Sequence, residues 1–196
     1  MKRNDISDYL IHFTKGSSWQ EAYEILKLIV DQQMLIGSNN LIKGSHTCVC
    51  FSEAPISSLE NGLLNSDYYS RYCPFGIMVS KSWLFSLGGR PVIYESENEY
   101  FELPETHNWR HVKYEPDKVP PFDFQWEREW RIKTQELHFS SENVTLILPD
   151  KDWAQHMIQG HDNSQDWDVQ QYNMLLGEPL GELFRDSFKW RILSLK

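Results

Sequence analysis

An α+β fold in one domain is what this sequence predicts, on three observations. Segments with strand periodicity outnumber those with helical periodicity. They do not follow a regular β-α-β alternation, which argues against a doubly wound parallel sheet. The 196 residues, 40% of them hydrophobic, suffice for one well-buried core, and the length favours one domain over 1–196.

The elements follow in chain order. Tyr9 to Thr14 is the first strand, and alternation places Leu10, His12 and Thr14 on one face and Tyr9, Ile11 and Phe13 on the other. A helix comes next. Ser18 is its N-cap, and Glu21, three residues on, completes a capping box. Ala22, Ile25, Leu26, Ile29 and Val30 recur at helical spacing, and the helix stops before Gly37. Thr47 to Ser52 reads as a strand ended by Pro55, with a short helix over Ser57 to Leu64.

Phe75 to Ser80 reads as a strand running into a helix from Ser82 to Leu87, which Gly88 and Gly89 close. Arg90 to Glu95 is a further strand. Residues 97–121 are rich in Pro, Glu and aromatics and read as a loop or insertion, with a strand at His111 to Tyr114. Glu127 to Thr134 and Val144 to Leu148 are strands. Asp150 caps a helix from Lys151 to about Gln159, the polar stretch from Gly160 to Gln171 reads as a loop, and Phe188 to Ser194 is the last strand.

Composition narrows the function classes. Aromatics at 14% set the chain apart from disordered sequences. A formal net charge of -9 repels phosphate backbones, so extended nucleic-acid binding is not expected, although a local basic cleft remains compatible with a dinucleotide. The start MKRNDISDYL lacks the apolar core of a signal peptide, and no apolar run approaches the ~20 residues of a membrane span. Cys48, Cys50 and Cys73 are an odd number without framework spacing, which predicts reduced thiols and a cytoplasmic protein.

Four constellations carry candidate chemistry. In His12-Phe13-Thr14 two polar side chains share a strand face and suit a ligand's ribose hydroxyls and amide, although such a His more often fills a half-buried position. In Trp126-Glu127-Arg128-Glu129-Trp130-Arg131-Ile132, strand alternation puts Glu127, Glu129 and Arg131 on one face. That face is either a solvated charged surface or a carboxylate displayed in a cleft, where it stabilises developing positive charge. His46, Cys48 and Cys50 invite a zinc reading, but on a strand they span about 13 Å, too far to gather around one ion, so no metal is expected. Ser52 ends a strand in Phe51-Ser52-Glu53-Ala54-Pro55, a place where sheets present site residues. Arg71, Lys81 and Arg90 are scattered cations, any of which can meet a pyrophosphate.

Taken in order, the segments EAYEILKLIVDQQMLIG, CVCFSEAPI, PFGIMVSKSWLF, RPVIY and WEREWRI resemble, over residues 9 to about 134, a bacterial family of largely unknown function. Its members share a CFSE strand and a W-E-x-E-W-R strand and occur near phage-defence and abortive-infection loci. More loosely, the chain resembles the ADP-ribosyltransferase fold of DarT-type toxins and poly-ADP-ribose polymerases. Those proteins open on a strand with His and a Thr or Ser two residues on, then a helix, and carry a catalytic Glu on a later strand. His12, Thr14 and Glu129 stand in the matching places. The resemblance implies a split β-sheet core with flanking helices, and NAD as the substrate.

It also implies residue roles: His12 and Thr14 on the NAD ribose or carboxamide, and Glu129 on the 2′-hydroxyl of the nicotinamide ribose. Glu127 would orient or deprotonate a macromolecular acceptor, Tyr94 would stack on nicotinamide, and Arg90 would meet the pyrophosphate, with Ser52 joining the cofactor-binding set. Enzymes with E-x-E usually open with Arg where this chain has His12, which leaves the target class open. The alternative is a non-catalytic, antitoxin-like regulator of a defence system that binds a protein partner.

Overall fold

In a computed structural model of the chain, residues 6–54 and 72–196 are described. The expected helix over Ser57 to Leu64, the strand end at Pro55, and Arg71 lie outside them. The architecture is mixed α and β, as expected. Among the described residues, seven strands form the main sheet, in the order β11 (Arg191–Ser194), β10 (Val144–Leu148), β4 (Tyr72–Ser80), β1 (Tyr9–Lys15), β3 (Cys48–Ser52), β8 (Glu129–Lys133) and β5 (Arg90–Pro91).

β4 (Tyr72–Ser80) lies inside this sheet, and its residues are buried on both faces. β1 (Tyr9–Lys15) pairs antiparallel with it, with His12 opposite Ile77 and Phe13 opposite Gly76. A Cβ on Gly76 would stand 2.3 Å from the His12 carbonyl oxygen, so the close approach of the two strands requires glycine there. On the other flank of β1 lie β3 (Cys48–Ser52), then β8 (Glu129–Lys133) and β5 (Arg90–Pro91). β10 (Val144–Leu148) pairs antiparallel with β4, and β11 (Arg191–Ser194) runs parallel to β10.

Alternation along these strands divides the core in two. On one face Leu10, Phe75, Ile77, Leu146 and Leu148 pack under α1 (Trp19–Gln32) and the start of α3 (Lys151–Leu176). Each such side chain contributes about 1.5–3 kcal/mol by leaving water. On the other face Ile11, Phe13, Ala54, Met78 and Ile147 form a smaller cluster. Half of the expected capping box forms: Ser18 accepts from the Glu21 amide, but the Glu21 carboxylate accepts from the Ser17 amide and hydroxyl instead of the Ser18 amide, and Gln33, left-handed at φ 51°, closes the helix. α2 (Lys81–Ser86) starts at the Ser80 cap.

Several expectations change. The expected strand Arg90 to Glu95 breaks at Val92. Its first part is β5, while β6 (Ile93–Glu95) pairs in parallel with β7 (His111–Lys113) in a separate small sheet. β2 (Met34–Ile36) and β9 (Glu136–His138) form a third pair that the sequence pattern did not show, each strand being too short to display a period. The strand expected from Glu127 starts only at Glu129. Gln125–Glu127 is a 3-10 turn that Arg128, left-handed at φ 44°, redirects into β8. Glu127 is therefore not part of the strand alternation.

The largest correction concerns 160–171. It is helix, not loop: α3 runs from the Asp150 cap to Gly177, left-handed at φ 70°. The stretch is polar because solvent surrounds most of it, and it contains no proline to stop a helix.

Candidate active site at the β1–β3 seam

β1 and β3 pair at Ile11 and Ser52 alone. Beside that pair the ladder opens, and the His12 side chain fills the opening: its Nδ1 lies 2.8 Å from the Cys50 carbonyl oxygen, and its ring meets Phe51 edge-on at 5.8 Å. A carbonyl only accepts, so Nδ1 carries the proton. Burial lowers the His12 pKa, and the bond to Cys50 offsets part of that. The neutral ring keeps Nε2 as an acceptor.

A hollow of about 60 Å³ opens at this seam. Ile11 and Phe13 give it an apolar floor, and His12, Lys15, Ser52, Tyr72, Glu127 and Glu129 supply its polar lining. Cross-strand register puts Ile11, Ser52 and Glu129 on one sheet face, whereas His12, opposite Ile77, belongs to the other. His12 and Glu129 line the same hollow because the ladder is open at His12. They stand on strands separated by β3, not on neighbouring strands. The hollow is far below the roughly 300–1,000 Å³ of sites that enclose a whole ligand.

The two carboxylates differ. Glu129 is clamped by Arg131, with Nε at 2.8 Å from one oxygen and Nη2 at 3.2 Å from the other. The Nη1 of Arg131 donates to the carbonyls of Trp109 and His111 at 2.8 and 3.0 Å. Burial opposes the charge on Arg131, but Glu129 outweighs it and holds its pKa above the ordinary value. Among the described residues no cation clamps Glu127 in this way. Burial first, and then the Glu129 charge, push its pKa up to about 7, against a hydrogen bond from Tyr72 and the charge of Lys15. A carboxyl that titrates near 7 is suited to exchange protons with a bound group.

The neighbours hold this pair in place. The Ser52 hydroxyl donates to the Glu127 carbonyl at 2.7 Å and accepts from the Ala54 amide, tying the turn that carries Glu127 to the end of β3. The Tyr94 hydroxyl accepts from the Glu129 amide at 3.0 Å and donates to the Phe124 carbonyl. Burial pushes the Tyr94 pKa up to about 12. The Cys50 thiol is raised by burial and by Glu129, so it is a weak donor and not a nucleophile.

Of the residues singled out in the sequence, His12, Ser52, Glu127 and Glu129 come together at the hollow. Thr14 does not reach it: the side chain is buried, and its hydroxyl donates to the Phe75 carbonyl at 3.2 Å, joining β1 to β4. Arg90 does not reach it either. Its Nη1 donates to the carbonyls of Phe85 and Gly89, and its guanidinium lies 3.9 Å from the Phe85 ring centre. Tyr94 supports the Glu129 backbone from outside the lining. Lys81 pairs with Glu53 at 2.7 Å, which also accepts from the Trp130 indole at 2.7 Å. Lys15 and Tyr72 line the hollow without having been singled out. Only the fold brings the start of β4 against the end of β1, and no local pattern could have marked them. Among the described residues no group of three His, Cys, Asp or Glu is placed to hold a metal ion, and no helix is long and apolar enough to cross a membrane.

No protein-family model, curated protein or solved structure matches this chain. The fold and the seam together make an α+β protein with a small hollow at its main sheet, lined by two carboxylates, a histidine and a lysine.

Proposed function

We propose that this hollow receives the nicotinamide-ribose end of NAD and that the chain is an ADP-ribosyltransferase-like enzyme. It would transfer ADP-ribose to a macromolecular acceptor or to water, in a phage-defence or toxin setting. The observation that carries this reading is the meeting of His12, Ser52 and Glu129 at one hollow from three successive strands, with Glu127 beside them titrating near 7.

Neutral His12 offers Nε2 to a ribose hydroxyl. Glu129 accepts from the 2′-hydroxyl and opposes the positive charge that grows on the ribose as the glycosidic C–N bond breaks. Nicotinamide leaves with the bonding electrons. The acceptor's oxygen or nitrogen forms the new bond to the anomeric carbon, and its proton passes to ionised Glu127. Of the described cations, Lys15 lines the hollow and Arg90 does not.

A second reading, the non-catalytic antitoxin-like regulator, is favoured by the Arg131 clamp, which engages both oxygens of Glu129. One experiment separates the two. Thermal stability and nicotinamide release are measured with millimolar NAD on the wild type and Glu129→Gln. Saturation at about 100 times the dissociation constant adds about 2.7 kcal/mol, a shift of a few degrees. The enzyme reading expects that shift in both proteins and nicotinamide from the wild type alone. Neither shift nor release overturns it in favour of the regulator.

A further inference from the structure

The pairing of β1 with β4 slips at the start of β4. Phe13 faces Gly76 and Lys15 faces Tyr72, so Thr14 alone on β1 spans Cys73, Pro74 and Phe75 on β4. Pro74 has no amide hydrogen to give the ladder, and it lies inside this bulge. The Thr14 hydroxyl donates to the Phe75 carbonyl within it at 3.2 Å. In unslipped register Lys15 would face Pro74, and Tyr72 would stand opposite Ser17, past the end of β1. The slip draws Tyr72 back to line the hollow.

Two contacts hold the Tyr72 ring there. Phe13 packs on it with centroids 5.6 Å apart, and Lys15 Nζ lies 5.2 Å from its centre. The hydroxyl reaches the Glu127 side chain and hydrogen-bonds it. Burial, and then the charges of Glu127 and Glu129, hold the Tyr72 phenol well above its ordinary range. The phenol therefore keeps its proton and is the donor when Glu127 is ionised. Glu127 stands on a 3-10 turn and not in the sheet, with its carbonyl tied to the Ser52 hydroxyl. Ser52 thus fixes its backbone, and Tyr72 fixes its carboxyl.

We propose that Tyr72 is a positioning residue for Glu127: its hydroxyl donates to the ionised carboxyl and holds it in the hollow, ready to receive the acceptor's proton. This role rests on the reading of Glu127 as the proton-accepting group of the seam. The groups around that carboxyl are His12 and Lys15 from β1, Cys50 from β3, Tyr72 from β4, and Glu129 and Arg131 from β8. Burial and Glu129 favour the protonated carboxyl, whereas Lys15, the Tyr72 hydroxyl and Arg131 favour the ionised one. Loss of the hydroxyl alone therefore moves the Glu127 midpoint upward from about 7.

Tyr72→Phe keeps the ring and removes the hydroxyl. The Glu127 carboxyl is followed by carbon NMR through a pH series on the full chain with carboxyl-labelled glutamate, its resonance being the one that Glu127→Gln removes. The variant's midpoint rises by about one pH unit or more, as expected for a lost hydrogen bond to a charged group, and the rise persists in high salt. A midpoint that stays in place overturns the proposal. So does a rise that high salt abolishes, which would trace it to a displaced Lys15 charge. Nicotinamide release from millimolar NAD is recorded through the same series. In the wild type it climbs as Glu127 ionises, and in Tyr72→Phe the climb moves to higher pH by the same interval with KM for NAD unchanged. Release that falls equally at every pH assigns Tyr72 to direct contact with NAD and overturns the positioning role. A raised midpoint with no nicotinamide from either protein upholds the hold of Tyr72 on Glu127 and overturns the NAD reading alone.

Discussion

The seam and the arm, formed by the far half of α3 and the chain that returns along it through Gly181–Phe184, use the same kinds of residue for opposite ends. At the seam the polar groups face inward: Arg131 is 4% exposed, and its donors are spent on Glu129 and two backbone carbonyls. On the arm the apolar groups face outward while the polar ones hold the element together. A buried polar group is costly without its partner, and an exposed apolar group costs little until something covers it. The seam should therefore be unforgiving to substitution and the arm tolerant.

The clamp gives the largest expected break in that comparison. Arg131→Met strands the Glu129 charge and leaves the Trp109 and His111 carbonyls without their donor, at a cost of about 3–5 kcal/mol in urea unfolding. Adding Glu129→Gln recovers a substantial part, because the uncompensated charge is gone. If the single and double variants are equally unstable, the clamp is not what makes the seam rigid.

Glu127 gives an intermediate effect through pH. Its carboxyl titrates near 7 in the folded chain and at 4.5 in the reference state. Between these values the folded state holds more proton, so stability falls as pH rises from 4.5 to 7 and levels off above. After discounting for its partial exposure, the loss is on the order of 2 kcal/mol relative to Glu127→Gln. Urea midpoints of both proteins across that window check the sign. Parallel profiles would remove Glu127 from the proton-exchanging role.

The smallest effect sharpens the arm. Gly160 lies inside α3, and a Cβ there meets nothing closer than the Tyr23 hydroxyl at 3.9 Å. Gly160→Ala should stabilise by up to about 1 kcal/mol, read as a raised thermal midpoint. A loop over 160–171 would give no such gain, so the variant also tests whether the helix continues through this stretch.

Much of this was legible in the sequence wherever the signal was local. The Ser18 cap of α1, the alternation in β1 and the cysteine-bearing β3 follow from spacing alone, because a period of 2 or 3.6 and a capping hydroxyl are written within a few residues. Polarity misled at 160–171, where a helix surrounded by solvent has the composition of a loop. His12, Ser52, Glu127 and Glu129 were assignable as residue types. Their meeting was not, since the partner of His12 lies 38 residues away and the turn at Arg128 lifts Glu127 off the strand. Thr14 and Arg90 show the converse: correct in kind, they are consumed by backbone carbonyls that only the folded chain places beside them.

By itself, then, the sequence determined the mixed α and β class, the strands that alternate and the acidic surface, all properties of neighbouring residues or of the whole composition. The tertiary structure alone decided which carboxylate is clamped and which titrates near 7, that the ladder opens at His12, and that the chain after α3 returns along it. Each of these depends on strand register and on burial, which bring distant residues into one dielectric environment, and no local pattern encodes that.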